Sequence, residues 1–135
     1  MGKTERELLT FLKEYHAWQK EKFPLQKQMG WLLKVDEEYK EFQAELKKKI
    51  RNKDKIKEEA ADYLFVIQGL RDYSPALADH LQSTFFLLYS KMIFQKEFID
   101  MMKEKFERNK MRIFRFFPVS ADDGYYKGSH IDVTI

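Results

Sequence analysis

Residues 57 to 70 read KEEAADYLFVIQGL, and from Ala60 to Ile67 every side chain is apolar or aromatic except that of Asp62. Ile56, Ala60, Tyr63, Ile67 and Leu70 recur at three- and four-residue intervals, which predicts a helix from about Lys55 to Asp72 with that stripe turned to a core. A lone carboxylate inside such a run is either driven to the surface or given a partner, because burying an unpaired charge is costly. Glu59, three residues before Asp62, shares its face of the helix.

The preceding segment holds a matching acidic pair. Leu32, Val35, Tyr39, Phe42 and Leu46 predict a helix over roughly residues 26 to 49, and Glu38 stands in that stripe between Val35 and Phe42, three residues before Glu41. The basic run KKKIRNKDK interrupts the apolar pattern and offers Asp54 as an N-cap for the next helix. In an antiparallel hairpin, residues equidistant from the turn lie level. Glu38 is then level with Asp62 and Glu41 with Glu59, both pairs centred on residue 50. Four carboxylates converge on one seam. Anions this close raise one another's pKa, and desolvation raises it further. A hard divalent cation relieves the repulsion: Mg²⁺, or Mn²⁺ in its place, takes oxygen ligands and keeps room for water and phosphate oxygens. Glu38, Glu41, Glu59 and Asp62 are therefore the candidate metal ligands and catalytic groups. Single acidic pairs three apart are common on solvated helix faces, and Glu37, Glu45 and Glu58 are read that way.

Working outward, Thr4 and Glu7 form a capping box ahead of Leu8, Phe11, Leu12, Tyr15 and Trp18, a helix that fades before Pro24. Ser74 and Pro75 fit an N-cap and first helical position. From Ala76 to about Ile113 there is neither Pro nor Gly, which reads as one long helix or two nearly continuous ones. The last residues lose the helical period and read as a loop, with a short strand at IDVTI. The expected fold is all-α, a four- to five-helix bundle over 1–117 containing the carboxylate-bearing hairpin, followed by an irregular tail over 118–135.

Composition agrees with one globular unit. The chain has 135 residues, 12 Phe, only 5 Gly and 3 Pro, and a net charge of +3 from 25 basic and 22 acidic residues, a balance that does not argue for a nucleic-acid partner. The absence of Cys excludes disulfides and thiolate metal sites and fits a reducing compartment. No secretory h-region is read at the N-terminus, Arg6 stands where a myristoylation motif wants Ser or Thr, and no apolar run approaches the ~20 residues of a membrane span. A cytoplasmic protein is expected.

The segments DEEYKEF and KEEAADYLF, with 17 residues between ExxE and ExxD, resemble the signature of the MazG-like all-α nucleoside triphosphate pyrophosphohydrolases. EKFERNKMR resembles that family's C-terminal Lys, Asn and Arg element, which places Lys105, Asn109 and Arg112. The resemblance covers roughly residues 15 to 113. It implies Mg²⁺-dependent hydrolysis of a nucleoside triphosphate (a dNTP or non-canonical nucleotide included) between the α and β phosphates, giving monophosphate and pyrophosphate. It also implies that Lys105, Asn109 and Arg112 lie near metal or phosphates; otherwise they are a solvated basic helix end. Trp18 in YHAWQ is the candidate stacking platform for the base, against a plain core role. The partner expected is the nucleotide, with no membrane, no stable nucleic-acid complex, and a homodimer or homotetramer that covers long apolar faces. A ferritin-type di-iron bundle is excluded because no ExxH occurs. The alternative is a non-catalytic helical module that senses nucleotides or binds protein or nucleic acid.

Overall fold

A computed structural model of the chain describes residues 2–128. Among them are five helices and one hairpin: α1 (Lys3–Lys22), α2 (Gln28–Lys47), α3 (Lys53–Leu70), α4 (Pro75–Ile93), α5 (Lys96–Met111), β1 (Phe114–Pro118) and β2 (Gly124–Gly128). The all-α bundle is as expected, and α3 is its axis, touching each of the other four helices. Its sequence explains this. Ala60 and Ala61 let neighbouring backbones approach, while Leu64, Ile67 and Leu70 supply volume on the buried faces. Phe42 of α2, Leu8 and Leu12 of α1, and Phe98, Ile99 and Met102 of α5 close on it, all fully buried.

Several local expectations change. Helix α1 starts at Lys3, because the Gly2 carbonyl already accepts the Arg6 N–H at 3.1 Å; Thr4 lies inside the helix and caps nothing. Asn52, not Asp54, caps α3: its backbone is extended, and its Oδ1 accepts the N–H groups of Asp54 and Lys55 at 3.1 and 3.2 Å. Helix α3 stops at Leu70, whose carbonyl accepts both Tyr73 and Ser74 N–H in the turn. Ser74 and Pro75 do open α4, although the Ser74 Oγ accepts from Gln28 Nε2 rather than capping its own helix. The uninterrupted stretch after Ala76 is two helices. Tyr89 leaves helical geometry, and the chain breaks at Phe94 and Gln95 without Pro or Gly. Phe94 turns its ring edge-on to Phe86, centroids 5.1 Å apart. The break belongs to packing rather than propensity.

The largest departure is the tail. The stretch expected to be irregular from 118 contains half of an antiparallel hairpin, in register Phe114↔Gly128 to Pro118↔Gly124. A strand at IDVTI lies outside the described residues. The hairpin is pinned to the start of α2. The Asp123 carboxylate accepts the N–H groups of Lys27, Met29 and Gly30 at 2.9, 2.8 and 3.3 Å, a cap supplied from the far end of the chain. Burial pushes the Asp123 carboxyl up, but these donors and the Gly124 N–H outweigh it and hold it below the usual carboxylate range. The approach is close enough to require glycine: a Cβ on Gly30 would stand 1.8 Å from the Gly124 carbonyl oxygen.

Candidate functional site

Helices α2 and α3 form the antiparallel hairpin that the acidic register demands. Oxygens of Glu38, Glu59 and Asp62 lie within 4.8 Å of one another, and Glu41 joins Glu38 in an adjoining group with Glu37. The Glu38 and Glu41 carboxyls crowd one another, and so do those of Glu41 and Glu59. Crowding and burial together favour the protonated form of these carboxyls unless a cation offsets the charge. Burial first, then Asp62 and Glu41, push Glu38 up to about 9. Burial likewise raises Asp62 to about 6, against the pull of Lys105, whose Nζ stands 3.3 Å from Oδ1. Glu59 is buried and pairs with Lys55 at 3.2 Å on one oxygen.

The other oxygen of Glu59 and one of Glu38, both Oε2, are buried and accept no hydrogen bond from the described residues. Orphaned carboxyl oxygens in such a cluster fit an oxygen-liganded divalent cation, which would favour their ionised form, with Glu38, Glu41, Glu59 and Asp62 as the residues to hold it.

The cluster opens into a cavity of about 1060 Å³. Lys105, Asn109 and Arg112 line the same cavity as the four carboxylates. Asn109 Nδ2 donates to the Tyr15 hydroxyl at 3.3 Å, and Arg112 Nη1 reaches Asn109 Oδ1 at 3.5 Å. Arg112 sits just past the end of α5 with an extended backbone, not in the helix. Burial raises the Tyr15 hydroxyl pKa, so it stays a neutral donor and acceptor.

Trp18 does not line the cavity. It is half-buried between the rings of Tyr15, Phe23 and Phe106, at 5.4 to 5.6 Å. The indole in the wall is that of Trp31, buried, with its Nε1 donating to the Gln26 carbonyl at 3.1 Å. Its ring lies against Gly69, where a Cβ would come within 2.4 Å of it. Tyr15 stacks on Phe65 at 3.8 Å and 9°, and Phe23, Phe114 and Tyr126 complete an aromatic wall.

The sequence reading missed other lining residues. Lys34, Arg108 and Lys127 add positive charge, and Gln19 and Gln26 add amides. Gln19 could have been found, since it continues the buried stripe Leu8, Leu12, Tyr15 at the next turn. Glu45, read as solvated, is instead buried and paired with Lys48 at 2.7 Å. Glu37 is exposed and pairs with Lys34 at 3.2 Å, while Glu58 is half-buried; both line the cavity. His16 bonds Asp72 at 2.9 Å, outside the cavity.

No helix is long and apolar enough to cross a membrane among the described residues. The chain matches no family model, and comparison with curated proteins and with solved structures finds no match to either.

Proposed function

We propose that this protein is a MazG-like pyrophosphohydrolase that converts a nucleoside triphosphate and water to the nucleoside monophosphate and pyrophosphate. The observation that carries the reading is the pair of orphaned carboxylate oxygens, Glu38 Oε2 and Glu59 Oε2, in a cluster that shares one cavity with a cationic group and an aromatic wall. Each part suits one part of such a substrate. A bound Mg²⁺ supplies charge to phosphate oxygens and acidifies water.

The chain's own residues do the rest. Lys105 is poised between Asp62 and the cavity, and Arg112, with Asn109 at its side, offers a planar fork to phosphate oxygens. Glu38, Glu41 and Glu59 provide closely placed carboxylates able to accept the proton lost by the attacking water. Trp31, Phe23 and Tyr126 line the cavity and would supply the ring surface against which the base packs. Helix α4 leaves Leu87 and Leu88 exposed at 80% and 64%, a face suited to a homodimer or homotetramer. The function is tested by ³¹P spectra of products with an NTP and Mg²⁺: pyrophosphate and NMP are expected, and orthophosphate with NDP would place the protein in another hydrolase class.

A further inference from the structure

Gln19 is a polar residue on the buried stripe of α1, with 2% of its surface exposed. Its Nε2 donates to the Phe65 carbonyl at 2.9 Å. A carbonyl only accepts, so the amide cannot be turned over: Nε2 must face Phe65 and Oε1 must point elsewhere. That Oε1 is buried and accepts no hydrogen bond from the described residues. Buried acceptors without donors are rare in folded chains, and Gln19 is one of the residues that line the large cavity, as are Phe23, Trp31 and Tyr126. Phe65 follows Asp62 by three residues, so Gln19 is held about one helical turn from the acidic cluster.

We propose that Gln19 Oε1 accepts an N–H from the edge of the substrate's base, the ring itself lying among Trp31, Phe23 and Tyr126. The inference rests on the nucleotide reading above and deepens it. The substrates are nucleotides whose base presents an imino or exocyclic amino N–H on its pairing edge; edge-alkylated bases and base-free polyphosphates leave the acceptor unpaired. An unmet buried acceptor on one side of a comparison separates good from poor ligands more strongly than apolar fit does.

The test is equilibrium binding to the full chain with Mg²⁺ present, using the natural NTPs and dNTPs, the analogue of the best binder with its pairing-edge N–H groups methylated, and inorganic tripolyphosphate. Wild type should bind the best nucleotide about ten- to a hundredfold more tightly than the methylated analogue. Gln19→Met, which keeps length and apolar fit, should lose that preference while binding tripolyphosphate within twofold of wild type; the tripolyphosphate result also shows that the variant is folded. Equal wild-type affinity for parent and methylated analogue overturns the role of Gln19 and leaves the hydrolase reading standing, as does a Gln19→Met variant that keeps the preference. Failure of wild type to bind either nucleotide or tripolyphosphate overturns the hydrolase reading and this inference together.

Discussion

Asp62 is the residue on which the acidic site turns, and two properties of its neighbourhood can be measured separately. Because a ligand that binds only the folded state stabilises it, Mg²⁺ or Mn²⁺ should raise the melting temperature of the wild type. Asp62→Ala should abolish that shift, and its metal-free form should melt no lower than wild type, since one crowded anion is gone. Protons report on the same crowding. Glu38, pushed up to about 9, and Asp62, pushed up to about 6, bind protons more tightly in the folded protein than in the unfolded chain. The folded state therefore holds protons that the unfolded state has released, and stability falls as pH rises from the ordinary carboxylate range toward those values. Metal-free protein should melt higher at about pH 5 than at about pH 9, and Glu38→Gln should flatten the dependence. Equal slopes in the two proteins would remove Glu38 from the crowded cluster. Arg112→Lys keeps the charge but loses the planar fork, so kcat/KM should drop roughly ten- to a thousandfold, about 1.4–4 kcal/mol, with melting unchanged. At this scale the four carboxylates were legible because helix period and hairpin symmetry fix their levels. Trp31 was not distinguishable from Trp18, since both stand on apolar stripes and only the tertiary path decides which ring meets the cavity.

The helices were legible as elements, their ends much less so. Period and composition give α2 and α3 to within a few residues, whereas the caps depend on which backbone group is free at each end. Asn52 and Asp54 are equally good cap residues on paper, and the extended backbone at Asn52 decides between them. Hairpin β1–β2 has a readable local signal in Asp123–Gly124 between aromatic runs, but its docking does not, because Asp123 meets α2 across 93 to 96 residues of chain. Removing that contact is a direct test of its weight. Asp123→Ala should lower stability by about 0.5–2 kcal/mol, the range for losing a helix cap, read from denaturant melts. Since Tyr126 and Lys127 line the cavity from the same hairpin, KM for nucleotide should rise more than kcat falls. A variant with unaltered stability would mean that solvent replaces the carboxylate at no cost.

At the scale of the whole molecule, α4 leaves Leu77, Leu87 and Leu88 exposed. If copies of the chain meet there, Leu87→Glu combined with Leu88→Glu should reduce the mass measured by light scattering to that of one chain while leaving helical circular dichroism intact. A single-chain mass for the wild type would rule that assembly out. The contact between Asp123 and the start of α2 has a consequence in time as well as in space. Synthesis proceeds at about 5–20 residues per second, so the last carboxylate of the acidic seam leaves the ribosome roughly 3–12 s before the segment that caps the first turn of α2. During that interval the nascent chain has both halves of its anionic seam but neither the hairpin wall nor the α2 cap. The first turn of α2 should then be the last part of the early-made chain to gain protection, and a stalled intermediate ending before residue 123 should be cut there by protease when the finished protein is not.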